Sequence, residues 1–178
     1  DDNVYIMEEF VNGYVQTFDG IVDSKGNMLF ESGNITPLSL MDIVNTGGDS
    51  VYYLVKELPE KIRQAGLATV KAFGVKSRFI HLEFFVLNDD QEGLGKKGDV
   101  LGLEVNMRPA GGYTPEMYNY SQETDVYKIW ADMVAFDYNT KSIGNSHYCA
   151  FYGRRDGKRY KLDDYEVMMK YKNQLVMW

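Results

Sequence analysis

The stretch 78–107 limits the fold more than any other part of the sequence. Arg78 to Asn88 reads as a strand. Residues 89–98 are rich in Asn, Asp and Gly and read as an exposed turn, and Asp99 to Met107 reads as the returning strand. A β-hairpin of this length needs an antiparallel sheet around it. The first 31 residues supply candidates: Val4 to Val11 is apolar and β-prone, Asn12-Gly13 is a turn signal, Val15 to Val22 is a second run, and Met28 to Phe30 resumes after the Asp23–Asn27 turn. Residues 42–50 read as a loop. Between the strands, Pro59 suits a first helical turn. Ile62, Ala65, Thr69, Val70 and Phe73 share one helical face, and Gly74 suits the C-cap. Residues 114–120 and 124–136 are helical in pattern, Ser146 to Arg154 is β-like, and 163–170 suits a short helix. No repeat or linker divides the chain. The expected class is α+β: an antiparallel β-sheet with helices packed on one face.

Charge narrows the function. The 178 residues carry a net charge of −7, which gives no electrostatic footprint for nucleic acid or an anionic membrane. An anionic ligand would have to be held by a few placed groups or a metal. The single cysteine, Cys149, excludes an internal disulfide framework and fits a reducing, cytoplasmic setting, where it reads as a small buried residue. No apolar run approaches the length of a membrane span. The chain opens on Asp1-Asp2 and closes on Leu175-Val176-Met177-Trp178, so the expectation is a piece of a longer protein.

Strand alternation sorts the hairpin side chains. One face of the first strand shows Ile80, Leu82, Phe84 and Val86; the other shows Phe79, His81, Glu83, Phe85 and Leu87. On the return strand Leu101, Leu103, Val105 and Met107 alternate with Gly102, Glu104, Asn106 and Arg108. With strands ~4.8 Å apart, Glu83, Glu104 and the Asn106 amide oxygen can converge on one cation. An all-oxygen set suits Mg²⁺ or Mn²⁺, completed by water and substrate phosphates. Arg108 would project toward the same region, where a guanidinium suits phosphate or carboxylate. The same pattern also describes a solvated strand face, although an acid among aromatics needs a partner. His81 shares Glu83's face and reads as a satisfied histidine or a support for that acid. Arg154-Arg155 with Lys158-Arg159 frame a turn that is either solvated or able to grip phosphate.

Glu104-Val105-Asn106-Met107-Arg108, preceded by Glu83, resembles the magnesium-binding strands of the ATP-grasp superfamily. Ile6 to Gly13 resembles the adenine-binding hinge of those enzymes, and the order of elements over residues 4–135 fits. The resemblance implies the C-terminal lobe of an ATP-grasp fold over 1–139; 140–178 lies outside it and is expected to be a β/α extension packed on the same domain. It implies ATP and Mg (or Mn) as cofactors. Glu83, Glu104 and Asn106 would be the metal ligands, with Glu104 bridging two ions, and Arg108 and Asn106 would act on the transferred phosphate. The hinge residues Glu8, Glu9, Phe10 and Val11 would hold adenine, through the backbone of Glu9 and Val11. Family members often carry a ribose-binding acid where this chain has Val15 and Gln16, so Gln16 would take that contact.

The implied partners are a small carboxylate substrate and an N-terminal lobe that supplies lysines and a glycine-rich lid. Exposed apolar surface would also support a homodimer. The implied activity is activation of the carboxylate as an acyl phosphate for an amine or similar nucleophile, as in carbamoyl-phosphate synthase, biotin carboxylase and carboxylate–amine ligases. This piece alone would be inactive. The loop 108–114 would either face the acyl substrate or serve as a turn into a helix, with Thr114 as N-cap and Pro115 at its first position. The alternative is a non-catalytic nucleotide-binding or protein-interaction module derived from the same lobe.

Overall fold

The computed structural model describes residues 4–38 and 40–178, apart from the side chains of Leu40 and Asp42. Its core is a seven-stranded sheet, every pairing antiparallel. The strands are β1 (Gly13–Val22), β2 (Met28–Ser32), β3 (Asn34–Thr36), β4 (Ser50–Leu54), β5 (Arg78–Leu87), β6 (Val100–Asn106) and β7 (Cys149–Gly153). The order across the sheet is β6-β5-β1-β3-β4-β7, with β2 continuing the line of β3 along β1. The helices are α1 (Leu40–Thr46), α2 (Glu60–Ala72), α3 (Thr114–Gln122), α4 (Val126–Phe136) and α5 (Asp164–Tyr171). Through β7, the C-terminal segment is built into the same sheet. Among the described residues no helix is long and apolar enough to cross a membrane.

The helices lie on both sheet faces, not on one as the sequence reading expects. Neighbouring strand residues point to opposite faces. Phe18, Val22, Ile80, Leu82 and Phe84 pack with Ile62 and Val70 of α2, while Ile21 and Phe79 pack on the other side with Tyr118 of α3 and Val126, Ile129 and Met133 of α4. A sheet apolar on both faces in its middle strands must be covered twice, because each buried aliphatic or aromatic side chain contributes ~1.5–3 kcal/mol. The α2 face comes closest at Gly66, where an added Cβ would stand 2.2 Å from Phe18 Cγ.

The expected strand over 4–11 is absent. Residues 4–12 have no regular structure, and Val4, Tyr5, Ile6, Met7 and Phe10 are exposed. The reason is the lack of a ladder partner. The β1–β5 pairing begins at Gly13↔Leu87, and beyond it the chain of β5 turns into the hairpin tip. Asn12-Gly13 is therefore the entry to β1 and not a hairpin turn. The segment is tied to that tip instead: Gln91 Oε1 accepts from the Asn12 N–H at 2.9 Å and Gln91 Nε2 donates to the Phe10 carbonyl at 3.3 Å. Part of the expected 42–50 loop is helical in α1, and β3 and β4 carried no sequence expectation.

Candidate functional site

The β5–β6 register decides the site. Glu83 pairs directly with Glu104, Leu82 with Val105 and His81 with Asn106; beyond Glu83 the register shifts, so that Phe84 faces Gly102 and Leu103 is the extra residue of a bulge. A bulge re-aims side chains at a sheet edge. Here it places Leu101, opposite Phe85, on the same face as Glu104 and Asn106, so the strict alternation read from the sequence fails between 101 and 104.

Register across β1 extends these pairs into two polar rows. Directly paired residues project from one face. The first row is Thr17, Glu83 and Glu104; the second is Ser32, Asp19, His81 and Asn106. Sequence reasoning missed Thr17, Asp19 and Ser32. The available signal was Thr17 and Asp19 on alternate residues of a strand that is otherwise apolar on that face. The rows lie on the face covered further along by α3 and α4, near the β6 edge of the sheet.

The middle of the second row, Asp19 and His81, is buried and bonded. Asp19 is 1% exposed and His81 is 9% exposed. His81 Nδ1 lies 2.5 Å from Asp19 Oδ1, and Nε2 lies 3.0 Å from Glu83 Oε1. Burial lowers the His81 pKa, but the two carboxylates outweigh it and raise the value to about 9. The histidine is satisfied, as the plain reading of the sequence expects, and what satisfies it is the candidate ligand Glu83 together with Asp19. Asp19 also accepts from the Thr17 hydroxyl, and Thr17 Oγ1 accepts from the Asn34 N–H at 2.9 Å. Tyr118 of α3 is buried beside this row; burial first, and then the Asp19 charge, push its hydroxyl well above the ordinary tyrosine range.

Both ends of the second row, and Glu104 beside it, are unsatisfied. Glu104 is exposed and has no hydrogen-bond or ion-pair partner among the described residues. Asn106 Nδ2 and Ser32 Oγ are buried without a partner. Two carboxylates directly opposite repel each other unless a cation stands between them. Among the described residues no group of three or more His, Cys, Asp or Glu side chains forms a protein-only metal cage. Two carboxylates and an amide instead suit a hard cation that keeps water or phosphate in its other positions. The unpaired donor of Asn106 suits a phosphate oxygen.

The structure brings together Glu83, Glu104 and Asn106, and Arg108 follows just past the end of β6. The Arg108 guanidinium is exposed and, among the described residues, donates only to the neighbouring Pro109 carbonyl, at 2.9 Å. Gln16 does not join them. It is 1% exposed and lies on the opposite sheet face, since its neighbour Thr17 is the residue paired with Glu83. The two-residue period of a strand turns it away from the face that carries Glu83. Glu8, Glu9, Phe10 and Val11 lie in the irregular segment before β1, and no hydrogen bond among the described residues engages the backbone of Glu9 or Val11. The loop after β6 buries Ala110 in the α3/α4 core. Thr114 does not cap α3; Tyr113 holds that position, and the Thr114 hydroxyl donates to Tyr52 Oη at 3.2 Å.

The basic turn near 154–159 is occupied by its own chain. Lys158 Nζ, Tyr160 Oη and Tyr152 Oη all donate to Asp49, at 2.9, 2.7 and 2.8 Å, and pull its pKa down to about 2. Arg155 donates to the Gly48 carbonyl and Arg154 to the Leu162 carbonyl. This cluster is a clasp between the β4 entry and the turn after β7.

No protein-family profile and no curated protein matches the chain. Solved structures do. Phosphoribosylglycinamide synthetase from Anaerococcus prevotii is similar with a TM-score of 0.57 and 19% identity, over 80% of this chain and 35% of that one. L-amino acid ligase from Bacillus licheniformis gives 0.53 and 19%, over 71% of this chain and 29% of that one. The biotin carboxylase domain of 2-oxoglutarate carboxylase from Hydrogenobacter thermophilus, solved with MgADP and bicarbonate, gives 0.56 and 18%, over 80% and 30%. The chain spans about a third of the length of the structures it matches. The antiparallel sheet covered on both faces, with paired acids on its edge hairpin, together with these likenesses gives this chain the ATP-grasp fold.

Proposed function

We propose that this chain is the C-terminal lobe of an ATP-grasp enzyme that activates a small carboxylate with ATP. The observation that carries the reading is the direct cross-strand pairing of Glu83 with Glu104, with Asn106 beside them and Glu104 left unpartnered. In this reading Glu83, Glu104 and Asn106 would hold magnesium. When bound, the metal neutralises the polyphosphate and orients the γ-phosphoryl group. Arg108, with no carboxylate to hold it among the described residues, neutralises the transferred phosphoryl group. The free backbone of Glu9 and Val11 meets the adenine edge, with Glu8 and Phe10 beside it. A substrate carboxylate oxygen attacks the γ-phosphorus and ADP leaves. An amine or similar nucleophile then attacks the acyl carbon and inorganic phosphate leaves. The MgADP and bicarbonate in the biotin carboxylase relative support this class of site. The acidic balance of the chain fits a partner lobe that brings the cations.

The test is hydroxylamine trapping in the longer protein that contains this lobe. An acyl phosphate yields a hydroxamate, dependent on ATP, magnesium and the carboxylate, and Glu104→Ala abolishes it. The second reading, a non-catalytic nucleotide-binding or interaction module, is favoured by the burial of Gln16, which leaves no ribose-binding side chain at 15 or 16. Nucleotide binding without ADP formation, equal in the wild type and Glu104→Ala, would support that reading against the first.

A further inference from the structure

The buried pair Asp19 and His81 touches no ligand in the reading above, yet it is hydrogen-bonded through to Glu83. His81 sits between two carboxylates and offers a ring nitrogen to each. The imidazole is a strut held at both ring nitrogens. Its Nδ1 end is anchored on Asp19, which is buried and braced by the Thr17 hydroxyl. Its Nε2 end occupies Oε1 of Glu83 and leaves Oε2 free.

We propose that His81, set by Asp19, is a positioning residue that fixes the Glu83 carboxylate in one orientation and thereby selects a small, strictly coordinated divalent cation over a larger one. The inference rests on the reading of Glu83 and Glu104 as metal ligands. Its physical basis is the contrast between two ions. Magnesium-like cations demand near-ideal octahedral geometry, whereas calcium accepts loose and variable oxygen sets. Groups that orient a ligand contribute ~10–100-fold in metal affinity. Asp19 matters because its buried carboxylate is the close acceptor that holds Nδ1; an amide at 19 accepts more weakly and loosens the ring that presents Nε2 to Glu83.

The experiment titrates Mn²⁺ and Ca²⁺, each alone, into the 178-residue chain by calorimetry. The proteins are the wild type, His81→Gln, Asp19→Asn and Glu104→Gln, with far-UV circular dichroism on each. The wild type binds Mn²⁺ more tightly than Ca²⁺, and Glu104→Gln loses both. His81→Gln and Asp19→Asn each lose about 10-fold or more for Mn²⁺ while Ca²⁺ changes by less than about 3-fold. Asp19→Asn keeps the shape of the buried site, so it carries the test where His81→Gln does not fold. Equal losses for both ions would mean that His81 only supports the sheet, and unchanged Mn²⁺ affinity would mean that Glu83 needs no support. Either result overturns the inference while the Glu104→Gln loss leaves the metal reading standing. A wild type that binds no Mn²⁺, or a Glu104→Gln variant that binds it normally, overturns the metal reading and this inference with it.

Discussion

Replacing Glu104 by Gln should have opposite effects on stability without and with magnesium. Glu83 and Glu104 are directly opposed on neighbouring strands, where like charges cost ~0.2–1 kcal/mol. Two features reduce that cost here. Glu83 is hydrogen-bonded to the His81 imidazole at 3.0 Å, and Glu104 is exposed. Solvent screening places the repulsion in the lower half of the range, ~0.2–0.5 kcal/mol. For a chain of this length 1 kcal/mol moves Tm by ~2–4 °C, so the variant should melt about 1 °C higher in a chelating buffer of low ionic strength. Magnesium at a hundredfold excess over its dissociation constant would stabilise the wild type by ~2.7 kcal/mol, which is about 5–10 °C. The variant should gain almost none of this. Scanning calorimetry of both proteins, in chelator and in magnesium, reads all four values. A variant less stable than wild type in chelator would show that Glu104 has a structural partner. An equal magnesium shift in both proteins would remove Glu104 from the metal site.

Two further predictions test the frame that holds the site. Gly66→Ala places a methyl group 2.2 Å from the buried Phe18 ring. Overpacking of ~1–3 kcal/mol should exceed the ~1 kcal/mol gained in helix propensity, so urea denaturation should show a net loss, relieved by a smaller residue at 18. Asp49, held down to about 2 by Lys158, Tyr160 and Tyr152, contributes to the clasp above the ordinary aspartate pKa of 3.8 and loses that contribution as pH falls toward 2. Limited proteolysis of the C-terminal segment should rise over that interval in the wild type, and Asp49→Asn should be susceptible at neutral pH and flat across the same range.

The hairpin 78–107, α2, α3 and α4 were legible because each carries its own periodicity and punctuation. The candidate ligands were legible for the same reason: Glu83, Glu104 and Asn106 sit on two strands joined by one turn, so local sequence fixes their pairing to within a bulge. What failed depended on distant partners. Val4 to Val11 has the composition of a strand, but composition cannot supply a neighbour to bond with. Gln16 and Thr17 differ by one position, and which of them faces Glu83 is set by the register between strands more than sixty residues apart. Asp19 and His81 are paired by that same register, so His81 was legible as a support for Glu83 but its anchor on Asp19 was not. The division of helices between two faces follows from Phe79 and Ile80, adjacent residues that are both apolar and both buried; alternation alone does not say that a second layer exists.

The central claim is that Glu83 and Glu104 share a cation. The most direct measurement is anomalous diffraction from crystals of the chain grown with Mn²⁺ and a non-hydrolysable ATP analogue. The account predicts an anomalous peak between the two carboxylates, at metal–oxygen bonding distance from both, with Asn106 beside it. A fully occupied manganese site that bypasses either glutamate would contradict it.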